Sequence, residues 1–337
     1  MMTYKEVRIW IKVLVLLLAV PFFNSCKPDA VVLVGNWVEL SVFDGLPRSD
    51  AAGFAIGTKG YIGTGYDGDK FHNDFWEYDA VKNSWTQKAD FPGAARSQAV
   101  GFSTDTKGYI GTGWEGKYRL KDFYEYNPAT NVWNRKADFG GSARRQALAL
   151  AINNKGYVGT GDSVSYFKDF WEYDPSSDVW TKKSSLGGNK RISAAGFVIS
   201  GKGYVIGGFD NGDYLTDMWM YDPSNDSWNK KRAIADVTDQ TFDDEYSTIK
   251  GRDKVGFTIN NKGYLATGGM TTGIETWEYD PATDLWTEKS NFEGTSRQGA
   301  IGFSIGSRGY VLTGSSSGLY YDDIWALDPD AESNEDD

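Results

Sequence analysis

The chain has 337 residues, among them 13 tryptophans, one histidine and one cysteine, and its formal net charge is −11. A lone cysteine excludes an intrachain disulfide, and a lone histidine, His72, leaves His-rich zinc sites and Ser-His-Asp triads poorly served. The acid excess offers no electropositive footprint for nucleic acid.

Lys5, Arg8 and Lys12 precede an apolar run from Val13 to Phe23, which is followed by Asn24, Ser25 and Cys26. That is the layout of a secretory signal, and the run is too short to span a hydrocarbon core of about 30 Å. The cysteine placed just after a small residue resembles a bacterial lipoprotein processing site, with Phe23 and Asn24 departing from the usual leucine and small residue. The resemblance implies a signal peptide over 1–25 and a lipid on Cys26, with a short linker over 26–34. It also implies export and anchoring to the cell envelope, with the outer membrane expected. Two or more acyl chains on one cysteine suffice for stable anchoring.

Past the leader one text recurs. Trp37 lies 11 residues before Arg48, and the same step joins Trp85 to Arg96, Trp133 to Arg144, Trp180 to Arg191 and Trp286 to Arg297. Tyrosines of a Lys-Gly-Tyr-like turn stand at 61, 109, 157, 204, 264 and 310, in steps of 48, 48, 47, 60 and 46 residues. A period near 50 residues points to closed or stacked repeats. In the first repeat the spacing predicts strands over Ala51–Ile56, Tyr61–Gly65, Phe75–Asp79 and Ser84–Lys88, separated by Gly and Asn/Asp turns. The third strand is apolar or aromatic on both faces at Phe75, Trp76 and Tyr78. Blades packed radially cover both faces and leave short edges, which a single two-layer sheet cannot do.

The sixth repeat has a third strand expected over Asp323–Asp328, but no tryptophan follows it. Asn36–Ser41, with Trp37, carries the missing text, so the N-terminal strand is expected to close the ring. The reading is an all-β fold with six blades of four antiparallel strands over 35–328, followed by an acidic tail over 329–337.

These residues resemble the kelch family: Pro47-Arg48 at the start of a repeat, Gly63-Thr64-Gly65 or the Gly207-Gly208 pair, a second-strand tyrosine and a spaced tryptophan, six times in register over roughly 35–328. The fifth repeat departs, with Gly251 at the arginine position and Arg252 one place late. The resemblance implies a propeller that is a protein-binding platform, a sugar-acting enzyme such as a sialic-acid mutarotase, or an oxidase. Fold alone does not choose among these. Oxidases of this type need copper, two histidines and a Tyr-Cys crosslink, which this chain lacks.

The recurring tryptophans are expected in the core, and the recurring arginines are expected to bond carbonyls or acids between blades, with Glu77, Glu125, Glu172 and Glu278 as partners. Antiparallel order puts the loops between second and third strands, and those between blades, on one face, the expected working surface. Its candidate ligand-binding residues are Tyr66 in blade one, Trp114, Tyr118 and Arg119 in blade two, Tyr166 in blade three and Tyr214 in blade four. First strands lie nearest the axis, so Asp50, Gln98, Gln146, Ser193 and Asp253 are expected to line a central opening. Asp67-Gly68-Asp69 and Asp210-Asn211-Gly212-Asp213 are incomplete calcium loops, so neither a metal nor a cofactor is expected. One interval breaks the period: from Trp228 to Tyr264 is 36 residues, against 24 elsewhere. That acidic insertion, with Asp236, Asp239, Asp243, Asp244 and Glu245, is expected either to reach over the central opening or to be a tolerated surface loop. The expected function is a monomeric, non-enzymatic module that presents its loop face to an envelope protein or a glycan, with the sugar-acting enzyme as the alternative.

Overall fold

The computed structural model describes residues 33–269 and 273–334. The leader, Cys26 and most of the linker lie outside them. Six four-stranded antiparallel sheets follow in chain order. Blade one runs Ala52–Ile56, Lys59–Gly63, Phe75–Asp79 and Ser84–Gln87, and blades two to five repeat that order from Val100, Leu148, Ala195 and Val255. Blade six is Ile301–Ile305, Arg308–Leu312 and Ile324–Glu332, completed by Val34–Glu39 from the other end of the chain. In that ladder Trp37 stands opposite Leu327 and Glu39 opposite Trp325. The first strands neighbour one another around the axis, and the sixth returns to the first.

Glycine sets how closely the blades approach. A Cβ on the second-strand Gly108 would stand 1.9 Å from Phe54 of the preceding blade, and one on Gly156 would stand 2.0 Å from Phe102. Each such glycine is a hole for the preceding blade's phenylalanine. Blade three offers Leu150 and Ile152 instead, 2.9 and 3.0 Å from the same position on Gly203. Around these contacts the core is largely aromatic: Phe54, Tyr61, Phe75 and Tyr126 form one buried cluster, with Phe75 and Tyr126 edge to face at 4.8 Å.

Turn chemistry locks each outer hairpin to the next linker. Asn83, Asn131, Asp178, Asp226 and Asp284 hold the left-handed turn between third and fourth strands, a conformation that Asn and Asp tolerate best after glycine. Each accepts the tyrosine hydroxyl five residues before it, as Tyr78 donates to Asn83 Oδ1 at 2.7 Å. Each also accepts a backbone N–H from the linker beside it, Ser41 in the case of Asn83.

Several boundaries differ from the sequence reading: the closing strand is Val34–Glu39 where Asn36–Ser41 was expected, and in blade one the first strand starts at Ala52 and the fourth ends at Gln87. Second strands begin with the lysine at the turn in blades one, three, four and five, at Gly108 in blade two and at Arg308 in blade six, and they stop before Thr64, Thr112, Thr160, Gly207, Thr267 and Thr313, which take positive φ and leave the ladder. The last strand continues to Glu332, opposite Val34, so the first acids of the expected tail are paired backbone. The insertion after blade four neither spans the opening nor lies loose. Ile234, Tyr246 and Ile249 are buried against Trp277 and Trp286, and the Tyr246 hydroxyl accepts the Trp286 N–H at 2.7 Å and donates to its carbonyl at 3.2 Å.

Candidate functional site

The face carrying the blade-to-blade linkers is organised by a repeated clamp. Arg48 donates Nε–H to the Leu46 carbonyl (2.9 Å) and Nη1–H to the Thr64 carbonyl (3.0 Å), and it grips Asp74 with both Nη1 (2.5 Å) and Nη2 (2.8 Å). Arg96, Arg144, Arg191 and Arg297 repeat this with Asp122, Asp169, Asp217 and Asp323. All five guanidinium groups are buried. In four blades the indole of Trp76, Trp171, Trp219 or Trp325 also donates to the aspartate. The carbonyls so held belong to the positive-φ Thr or Gly, a costly conformation for a β-branched residue, so the clamp fixes a strained bend. The recurring glutamates are not the partners of these arginines. Glu77, Glu125, Glu172 and Glu278 accept the second-strand tyrosine hydroxyls, as in Tyr61 to Glu77 at 2.8 Å.

Immediately after each clamp position comes a residue at the mouth, then one at the axis. The axial residues are Asp50, Gln98, Gln146, Ser193, Asp253 and Gly299, and all six have φ between +50° and +64°. Backbone bonds run from blade to blade around this ring: Asp50 N–H to Gly299 O (2.8 Å), Gln98 to Asp50 (2.8 Å), Gln146 to Gln98 (3.3 Å), Ser193 to Gln146 (3.1 Å) and Asp253 to Ser193 (3.2 Å). The ring frames a central pocket of about 140 Å³ whose deeper wall is Ala51, Ala99, Ala147, Ala194, Lys254 and Ala300. Burial, reinforced by the neighbouring Asp253 charge, pushes the Asp50 carboxyl up to about 7. Asp253 is also raised, by burial, against the opposing pull of its Ser193 hydrogen bond and Arg252.

Above the ring lies a rim of aromatic and cationic groups. Tyr320, Tyr66, Phe71 and Trp114 form a continuous arc, with ring centroids 6.2, 4.9 and 5.4 Å apart in succession. Arg145 continues it, its guanidinium 5.0 Å from the Trp114 ring. Asp162 receives Arg145 Nε at 3.0 Å and Arg119 Nη2 at 2.6 Å. Across the opening Arg252 lies over Phe209, with its Nε 3.4 Å from Asp253 Oδ2. His72 shapes the arc without joining it. Buried beside Phe71, it bonds Asp67 through Nε2 at 2.8 Å, and burial, reinforced by the Arg48 charge, holds its pKa below the usual imidazole value.

The structure thus brings Tyr66, Trp114 and Arg119 to the mouth, and Asp50, Gln98, Gln146 and Asp253 to the axis below it. Tyr118 stands apart, 60% exposed under Lys117. Tyr166 lines a separate groove with Phe167, Lys190 and Asp210, and Tyr214 packs on Phe209 at 5.3 Å. Sequence reasoning missed Arg145, Asp162 and Lys254. Their signal was departure from the repeat: Arg145 and Lys254 replace the Ser and Ala that fill those positions in blade one. Asp236, Asp243 and Asp244 are the one carboxylate cluster of metal-ligand spacing among the described residues. Asp243 already accepts the Val237 and Thr238 N–H groups at 3.0 Å.

The comparisons agree with this architecture. A family model described as the kelch motif matches residues 191–232, which span the clamp of blade four through its last strand. The solved structure of YjhT superposes with a TM-score of 0.69 at 17% identity, covering 84% of this chain and 95% of that one. A sequence comparison with curated proteins gives no match.

Proposed function

Taking the chain as a six-bladed propeller of kelch repeats, we propose that it binds a saccharide at the mouth of its axial pocket, from a lipid-anchored position on the cell envelope. The observation that carries this reading is the junction of the Tyr320-Tyr66-Phe71-Trp114 arc with a polar ring one residue deeper. A sugar ring has apolar C–H faces and a hydroxyl rim. Aromatic faces suit the first, and convergent Asp, Gln and Ser side chains suit the second. The pocket is well below the several hundred Å³ of a drug-sized site, so it suits one sugar unit with the rest of a glycan lying on the arc. The leader ending in Cys26 supports the envelope placement.

Glycan-array binding and saturation-transfer NMR test the reading. Trp114→Ala and Tyr66→Ala should each weaken glycan capture at least tenfold, while Tyr118→Ala should change it little. A protein that retains no glycan but captures an envelope protein through the same arc would replace this reading with a protein-binding one.

Asp50 favours a second reading, a carbohydrate-acting enzyme. Opening a cyclic hemiacetal needs a base at the anomeric hydroxyl and an acid at the ring oxygen, and a carboxyl that titrates near neutrality suits either task. Exchange NMR of sugar anomers decides: acceleration lost in Asp50→Asn, with binding retained, would establish the enzyme, and no acceleration by the wild type would remove it.

A further inference from the structure

The arginines at the mouth are engaged: Arg119 and Arg145 hold Asp162, and Arg252 lies on Phe209 beside Asp253. Two lysines of the same face are not. Lys168 and Lys190 line the groove between blades three and four with Tyr166, Phe167 and Asp210, and among the described residues neither ammonium group has an ion pair or a hydrogen bond. The groove measures about 440 Å³, about three times the 140 Å³ of the axial pocket, and falls in the range of small-molecule sites. Lys190 departs from the repeat, because the residue before the clamp arginine is Pro47, Ala95, Ala143 or Ser296 in the other blades that have one. With two ammonium groups against the one carboxylate of Asp210, the groove is a basic spot on a chain of net charge −11.

Both walls continue from the mouth. Tyr166 pairs across a β-bridge with Asp162, whose carboxylate holds Arg119 and Arg145. It thereby takes in blade three the place of Phe71 and Tyr320 in the aromatic arc, which pair in the same way with Tyr66 and Ser315. On the other side Asp210 follows Phe209, the ring under Arg252. The floor is fixed. The Arg144 guanidinium lies 4.2 Å from the Phe167 ring centroid, and Gly188 is pressed onto the blade-four clamp, where a Cβ would stand 2.3 Å from Asp217 Oδ2. Fixed walls lower the ordering cost of binding.

We propose that this groove is a second subsite of the saccharide site and takes an acidic unit of an oligosaccharide. Tyr166 offers a ring face to the sugar, and Lys168 and Lys190 offer ammonium groups to its carboxylate or sulfate. An ammonium group has three donors and no acceptor, the complement of an oxyanion. The inference rests on the saccharide reading and extends it from one sugar unit at the axis to a chain that runs outward between blades three and four.

A glycan array of matched pairs tests it on the purified full-length protein: uronic-acid oligosaccharides with their methyl esters, and sulfated oligosaccharides with their desulfated forms. An acidic member should be retained at least tenfold more tightly than its neutral partner, and the preference should shrink as salt is added. The two kinds of pair separate carboxylate from sulfate. Lys168→Ala with Lys190→Ala should bring the acidic member down to its neutral partner, and Lys168→Arg with Lys190→Arg should keep the preference. Equal retention of both members by the wild type would overturn the acidic subsite and leave the saccharide reading standing. A preference that survives in the double alanine variant would do the same, by placing the anion on the arginines of the mouth. Retention of no glycan would overturn both readings, and hexaglutamate captured by the wild type but not by the double alanine variant would then give the groove to acidic peptides.

Discussion

Gly251 and Gly269 meet so closely that a Cβ on the first would stand 2.5 Å from the Cα of the second. Gly251 occupies the clamp position of blade five, and this contact leaves no room for the arginine used in the other five blades. Lys254 takes over part of its work from three residues further on, reaching the Thr267 carbonyl as Arg48 reaches that of Thr64. Glu275 stands where the others have aspartate, and it raises the Lys254 pKa against a larger lowering by burial, which leaves that amine at about 8.

The complete clamps should be costly to break. Arg96→Ala leaves Asp122 without its bidentate partner and frees the Thr112 carbonyl. Removing one member of a buried pair typically costs about 3–5 kcal/mol. Urea unfolding should show that loss, and the double variant with Asp122→Ala should cost less than the sum of the two single changes.

Blade packing can be tested at two equivalent glycines. Gly156→Ala drives a methyl into the Phe102 ring, whereas Gly203→Ala meets only the ends of Leu150 and Ile152. Overpacking costs about 1–3 kcal/mol or more when nothing can yield. Thermal unfolding should place Gly156→Ala at least several degrees below Gly203→Ala, and equal midpoints would refute the hole-filling account.

Ring closure rests on Trp37, which is fully buried, packs edge to face on Phe292 at 5.0 Å and donates to Thr276 Oγ1 at 3.2 Å. Trp37→Ala should cost about 3–5 kcal/mol. Deleting residues 27–41 should go further by baring the edge of Ile324–Glu332, with self-association visible in light scattering.

Asp50 gives a pH prediction with a definite sign. Its folded-state pKa lies above the ordinary carboxyl value, so its contribution to stability is fully present below about pH 3.8 and is lost as pH rises through about 7. Asp50→Asn should therefore raise the melting temperature at pH 8 and change it little near pH 3.5. Carbon NMR of the labelled side chain should find the titration near neutrality, and an ordinary carboxyl titration would remove the claim.

The blade count and the closing strand were legible because both rest on periodic text: Trp37 keeps the repeat spacing to Arg48 although it sits at the wrong end of the chain. The arginine partners were not. Asp74 recurs in five blades and Glu77 in four, so frequency hardly distinguishes them and strand register does. Glu77 stands opposite Tyr61 inside the ladder, while Asp74 precedes the strand and faces the linker. The axial placement of Asp50 and Asp253 follows from strand order, but their coupling depends on distances across blades. The insertion misled because its acids dominate the composition. Ile234, Tyr246 and Ile249, scattered among them, are what the core takes up.

The shared sixth blade sets the order in which this ring can be made. Val34–Glu39 pairs with a strand almost 290 residues downstream, so the contact with the greatest sequence separation in the fold is also the one that closes it. Loop-closure entropy grows only logarithmically with length, and docking the earlier blades shortens the distance still to be bridged. Assembly can proceed blade by blade from local hairpins, but the last seam must wait for the far end of the chain. Such a topology favours slow completion over fast, and it keeps the chain open, with its final edge unpaired, until nearly all of it has been delivered.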